Sequence, residues 1–160
     1  MKLTLDTPEQ VFFYEQDYYV LSNFSAFNVH VFGIEFQTAE HAYHFKKFSD
    51  TNHLLASEIR AARSAHDAFK IAEANKLHRR GDWDKVKVNV MRAIIRAKTA
   101  QHEYVRRKLL QTGDRELIEN SWRDSFWGWG ENRHGQNQLG KLWMEIRAEL
   151  RMENATSASK

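Results

Sequence analysis

The sequence predicts an α+β fold, a mainly α-helical single domain with a small N-terminal β-sheet or hairpin, and three observations carry that prediction. Before residue 38 apolar residues alternate with polar ones; beyond it they recur at spacings of three and four. Backbone punctuation is scarce, with one proline and seven glycines in 160 residues. Four of those glycines (Gly128, Gly130, Gly135, Gly140) crowd into one stretch, which concentrates the backbone freedom in one loop.

The elements follow in order. VFFY (11–14) is a β-branched and aromatic run, and FNVHVFGIEF (27–36) alternates on both sides of Phe32-Gly33, as a hairpin does. Thr38 is placed to cap a helix running to about Ser49, Thr51 a second through Arg63, and Ser64 opens a third that runs to about Arg80 and ends at Gly81. Asp82 is placed to cap a long helix over Trp83–Thr99, with Val86, Val90, Ala93, Ile94 and Ala97 on its apolar face. A fifth helix is expected over Gln101–Gln111 and a last over Leu139–Met152, with Leu142, Ile146, Ala148 and Leu150 facing inward. The small, polar tail 153–160 is expected to be disordered, leaving residues 1–152 as one domain.

Composition narrows the function classes. Hydrophobic residues make up 42%, enough for one sizeable core. The net charge of +3 suits anionic ligands but falls short of a dedicated nucleic-acid binder. Zero cysteines exclude a disulfide scaffold, a thiol nucleophile and cysteine-ligated metal. The first residues show no signal-peptide pattern and no long apolar run occurs, so the expectation is a soluble, cytoplasmic protein without a membrane partner.

The segment TAEHAYHFKKFS (38–49) holds the first chemically suggestive residues. At 100° per residue Glu40 and Lys47 fall within about 20° of each other, with Tyr43 and His44 flanking them. Ala42, Phe45 and Phe48 cover much of the rest, so the carboxylate and amine would line a cavity. The competing reading makes both of them solvated rim charges beside Lys46. His41 and His44 stand three apart, a poor match to the four-residue spacing of zinc proteases, and no metal is assigned.

The second such segment is SWRDSFWGWGENRHGQNQLG (121–140). Its glycines permit close backbone approach, its tryptophans offer stacking faces, and Asp124 supplies an acceptor or base, the ingredients of a nucleotide pocket. A tryptophan-anchored structural loop is the alternative. Arginines on the central helices (Arg60, Arg63, Arg79, Arg80, Arg92, Arg96, Arg106, Arg107) alternate with acids; a subset is available for phosphate, and spacing does not select it.

Taken together, these pieces resemble the NADAR domain family. The matching residues are Leu21-Ser22-Asn23-Phe24; Thr38-Ala39-Glu40-His41 into Lys47-Phe48; Trp83, Lys87 and Met91; Leu109-Leu110 and Thr112-Gly113-Asp114; Leu117-Ile118-Glu119; Asp124 with Trp127-Gly128; and Asn137-x-Leu139-Gly140 into Met144 and Arg147. They occur in family order over about residues 12–150. The resemblance implies hydrolysis of an N-glycosidic bond between a ribose and an amine, without a cofactor. Its candidate substrates are a riboflavin-pathway ribosylamino-pyrimidine phosphate and ADP-ribose on the guanine amino group of nucleic acid. The second implies transient nucleic-acid contact. Two departures, weak matching over Ala65–Arg80 and Gln136-Asn137-Gln138 in the loop, bear on substrate choice.

On this resemblance Glu40, Lys47 and Asp124 are the catalytic candidates. Ser22, Asn23, Phe24, Tyr43, His44, Trp83, Trp127, Gly128, Asn137 and Gly140 are the substrate-binding ones. Lys47 is assigned to capture the opened sugar as a Schiff base while Glu40 shuttles protons. Burial favours the neutral amine and Glu40 opposes it. Alternatively Glu40 or Asp124 activates water and Lys47 neutralises phosphate. A different class is a binding module for NAD-derived nucleotides or ADP-ribose, without turnover.

Overall fold

The computed structural model describes residues 5–14 and 16–158. The chain divides into two compact units: Asn23–Glu103 forms one, and the residues up to Ser22 together with those from Tyr104 onward form the other.

Strand β1 (Gln10–Phe13) precedes the Asn23–Glu103 unit in the chain and belongs to the other unit. The hairpin is β2 (Val29–Val31) and β3 (Ile34–Phe36), antiparallel with Val29 opposite Phe36 and Val31 opposite Ile34. Phe32 and Gly33 form its two-residue turn with φ of 58° and 75°. Two consecutive positive φ values match the twist of the flanking strands, and Gly33 adopts its value without a Cβ penalty.

Four helices follow: α1 (Ala39–Lys46), α2 (His53–Ala61), α3 (Ala65–Ala74) and α4 (Trp83–Gln101). Thr38 caps α1 and Ser64 caps α3 as expected, each accepting a backbone N–H three residues on. The cap of α2 is Asn52 rather than Thr51: Asn52 accepts the Leu55 N–H, while the Thr51 hydroxyl faces back toward the Phe48 carbonyl. The third helix stops at Ala74, short of Arg80, because the Asn75 side chain donates to the Ile71 carbonyl and a 3-10 turn, Lys76–His78, takes over. Asp82 precedes α4 without capping it, since both carboxylate oxygens are held by the Arg80 guanidinium at 2.6 and 2.9 Å. Phe48, Leu55, Ala56, Ile59, Ala62, Ala68 and Ala72 form the core joining α1, α2 and α3.

The other unit contains β1, a 3-10 helix (Gln16–Leu21), α5 (Glu103–Gln111, entering from the boundary residue), β4 (Glu116–Glu119) and α6 (Gln138–Ala158). Strands β1 and β4 pair in parallel, Gln10 opposite Glu116 through Phe13 opposite Glu119. Helix α6 packs on β4, and its buried Trp143 donates from the indole to the Leu21 carbonyl at 2.9 Å. Ala148, expected to face inward, is exposed; Leu142, Trp143, Ile146 and Leu150 form the buried stripe. The tail departs from the expected disorder: residues 153–158 continue α6, where Arg106 donates to the Asn154 side chain and the Thr156 hydroxyl to the Met152 carbonyl. Ser159 and Lys160 lie outside the described residues. Among the described residues no helix is long and apolar enough to cross a membrane.

Candidate functional site

Helix α1 is buried on nearly its whole circumference, from Ala39 through His44. The Thr38 hydroxyl accepts the His41 N–H and meets His41 Nδ1 at 2.8 Å, while His41 Nε2 lies 3.0 Å from the Ala62 carbonyl oxygen. Both His41 nitrogens are therefore engaged in anchoring the helix start. Among the described residues no group of three metal-ligating side chains comes together.

Glu40 and Lys47 are 7% and 8% exposed, so the burial expected of them is present and the solvated-rim reading is not. Glu40 Oε1 lies 2.6 Å from His44 Nε2, and the Glu40 backbone N–H donates to the Asn23 carbonyl. The Lys47 ammonium sits 5.0 Å from the Tyr43 ring centroid and 5.8 Å from that of Trp83. Tyr43 and Trp83 are themselves 5.1 Å apart, and Trp83, at the first residue of α4, is 1% exposed. The Lys47 carbonyl accepts the Arg80 N–H, tying the end of α1 to the start of α4.

Burial pushes the Lys47 amine down from its ordinary value of 10.5 to about 8; Glu40 and Glu73 oppose the fall, and Arg79 and Lys76 add to it. Of the two competing effects weighed on the sequence, desolvation wins. About a tenth of the amine is then neutral at pH 7, a few hundred times the fraction of an ordinary lysine. Such an amine is a competent nucleophile.

Asn23 is 7% exposed; its amide nitrogen meets Met91 Sδ at 3.4 Å, and its carbonyl oxygen Oδ1 is buried without a partner. His44 Nδ1 is another such atom. The unsatisfied Asn23 Oδ1, on the residue whose carbonyl holds the Glu40 N–H, marks a place where a ligand or water completes the hydrogen bonding. Phe24 is 39% exposed.

The remaining candidates belong to the other unit. Ser22 is buried. Asp124 Oδ1 accepts the Phe126 and Trp127 N–H groups at 2.9 and 2.7 Å, which makes it the organiser of its turn. Trp127 is buried with its ring against Phe126. Asn137, at φ 49°, clamps β4: its side chain accepts the Glu119 N–H and donates to the Leu117 carbonyl. A Cβ on Gly140 would overlap the Leu117 carbonyl oxygen, and one on Gly128 would stand 2.8 Å from that of Glu119. The close backbone approach foreseen at these glycines is thus made to β4 of the same chain, and the structural-loop alternative describes their contacts.

Sequence reasoning passed over Lys98, which is 0% exposed, donates to Ser25 Oγ at 2.9 Å and is pushed by burial to about 7. The signal was present: Met91, Ile94 and Lys98 lie on one helical stripe. Arg79 and Lys76, whose charges reach Lys47, also went unselected among the basic residues.

Comparison with known proteins places these observations among relatives. The family model of the NADAR domain matches residues 12–151. An N-glycosidase of Nostoc punctiforme is 38% identical over 144 residues, covering 88% of this chain and 92% of that protein. N-glycosidase YbiA of Escherichia coli is 37% identical over 137 residues, covering 86% and 84%. A riboflavin biosynthesis protein of Vibrio vulnificus is 38% identical over 144 residues, and there the match spans 89% of this chain but only 39% of the relative. The NMR structure of E. coli YbiA superposes with a TM-score of 0.82 at 34% identity, covering 95% of this chain and 90% of that one.

Proposed function

The chain belongs to the NADAR domain family, and from that premise we propose that it is an N-glycosidase, a hydrolase that cleaves the bond between ribosyl C1 and an amine nitrogen. The observation that carries the proposal is the pairing, on one buried helix face, of the Glu40 carboxylate with a Lys47 amine held at about 8 beneath two aromatic rings. The mainly helical α+β architecture shared with E. coli YbiA and the family match over residues 12–151 support treating residues 1–152 as one catalytic domain.

In the proposed reaction the neutral Lys47 Nζ adds its lone pair to C1 of the ring-opened ribosyl imine. The added Nζ passes one proton to the leaving nitrogen and Glu40 delivers a second, the C1–N bond breaks with its electron pair going to that nitrogen, which departs as the amine, and a Lys47–C1 iminium remains. Water then adds to C1, Glu40 takes its proton, and collapse breaks the C1–Nζ bond to release the sugar aldehyde and free Lys47. Side chains and water suffice for every step. Asp124 Oδ1 already accepts two backbone amides, which favours Glu40 over Asp124 as the group that moves protons.

Tyr43, Trp83 and Phe24 supply ring faces for the base, and Asn23, whose Oδ1 is buried without a partner, supplies a polar contact for sugar or phosphate. The positive field of Arg79 and Lys76 at Lys47 suits an anionic substrate. Two relatives' names, N-glycosidase and riboflavin biosynthesis protein, favour a free ribosylamino-pyrimidine phosphate over ADP-ribosylated guanine in nucleic acid. A cytoplasmic setting goes with such a metabolite.

The test is incubation with each substrate class, read by mass for ribose phosphate or ADP-ribose, followed by borohydride trapping. Release from the pyrimidine substrate and an adduct on Lys47, lost in Lys47→Ala, are expected. Turnover without any Lys47-dependent adduct overturns the Schiff-base step and leaves water activation. A binding module without turnover predicts instead that Glu40→Gln and Lys47→Ala keep full ligand affinity and that no product forms.

A further inference from the structure

Building on the N-glycosidase reading, we propose that His44 is a positioning residue: its Nε2–H donates to Glu40 Oε1, so that Oε2 is the oxygen that moves protons. The geometry selects the tautomer. His44 Nδ1 is buried and has no hydrogen-bond partner, whereas Nε2 lies 2.6 Å from the carboxylate. A proton on Nδ1 would create a buried N–H donor with no acceptor, which is rarer and more costly than an under-satisfied lone pair. With the proton on Nε2, the imidazole gives its one donor to its one available acceptor.

The rest of the surroundings hold the ring where it can do this. Tyr43 meets it edge-on at 5.2 Å and Phe69 of α3 at 5.8 Å, and His44 is 2% exposed. His44 stands one turn after Glu40 on the same helix, so the contact needs no long-range closure. Among the described residues no other side chain bonds the Glu40 carboxylate. Without His44, that carboxylate is free to swing toward the nearby Lys47 ammonium, the charge it already stabilises through space. The imidazole thus keeps the acid–base group and the amine apart as two working groups rather than one ion pair.

The experiment separates this role from simple ring packing. His44→Gln keeps an N–H donor for Glu40 and loses the ring; His44→Phe keeps the ring contacts with Tyr43 and Phe69 and loses the donor. With a ribosylamino-pyrimidine phosphate as substrate, His44→Phe is expected to lose about 100-fold in kcat with KM little changed, and His44→Gln no more than about tenfold. Alongside, imidazole nitrogen NMR of the unmodified protein is expected to show one His44 tautomer, protonated at Nε2, whose signal shifts in Glu40→Gln. A proton on Nδ1, a tautomer mixture indifferent to Glu40→Gln, or kcat retained in His44→Phe but not in His44→Gln overturns the proposal. Absence of turnover in the unmodified protein would instead reject the N-glycosidase reading, and the NMR result alone then decides whether His44 holds Glu40.

Discussion

Replacing Lys47 with methionine should make the protein more stable while removing its proposed activity. The fall of the amine from 10.5 to about 8 corresponds to about 3 kcal/mol by which the folded state disfavours the ammonium relative to the unfolded chain. Methionine removes that penalty and keeps an unbranched side chain of similar length, and its thioether is suited to lie against Tyr43 and Trp83. The variant also forfeits the attraction of the ammonium to those two rings, about 1 kcal/mol. A net gain of about 2 kcal/mol at pH 7 is expected, or about 4 to 8 °C in the unfolding midpoint for a chain of this size.

The pH dependence carries the sign. Between pH 8 and 10.5 the unfolded chain holds a proton that the folded chain has released, so the natural protein gains stability as pH rises through that window. Below pH 8 the penalty is fully present. The advantage of Lys47→Met should therefore be constant from pH 6 to 7.5 and shrink toward pH 10, as read by urea unfolding of both proteins side by side. A variant less stable than the natural protein at pH 7, or a difference unchanged between pH 7 and 10, would refute the claim that burial holds this amine near 8.

Other expectations follow from neighbouring contacts. Glu40→Gln should fold normally, abolish turnover and move the pH at which Lys47 becomes reactive below 8, because Glu40 opposes the fall; pH-dependent reductive methylation of Lys47, read by mass, measures it. Arg79→Ala should move that inflection upward by the opposite sign. For Lys98, at about 7, the stability of the natural protein relative to Lys98→Met should rise by up to about 1.4 kcal/mol per pH unit between 7 and 10. Gly140→Ala should lower stability by about 3 kcal/mol in denaturant titration, since its methyl meets the Leu117 carbonyl and the Asn137 side chain.

Local signals were legible where the physics is local. Thr38 and Ser64 announce helix starts because a side-chain oxygen three residues before a free N–H needs only the neighbouring backbone. The Phe32-Gly33 turn and the long apolar period of α4 are readable for the same reason. The reading slipped where a partner competed for the signalling residue. Asp82 looks like a cap until Arg80 occupies its carboxylate, and Thr51 and Asn52 are equally able caps until the helix axis selects one. Strand β4 went unread because its Leu117 and Ile118 are both buried rather than alternating, and its partner β1 lies more than a hundred residues earlier.

The same division runs through the candidate site. The sequence by itself determined that Glu40, Tyr43, His44 and Lys47 share a helix face, because 3.6 residues per turn leaves them no choice once α1 forms. It also excluded a thiol nucleophile, since the chain has no cysteine, which turns a covalent route toward Lys47. Only the tertiary structure decided that this face is buried and that Trp83 closes over Lys47, which is what brings the amine down to about 8. It alone brought His44 Nε2 to 2.6 Å from Glu40 and engaged Asp124, Asn137, Gly128 and Gly140 with backbone of their own unit. Residue types and spacing state what each group is able to do; desolvation and hydrogen-bond competition, which depend on what the rest of the chain places around it, decide what it does.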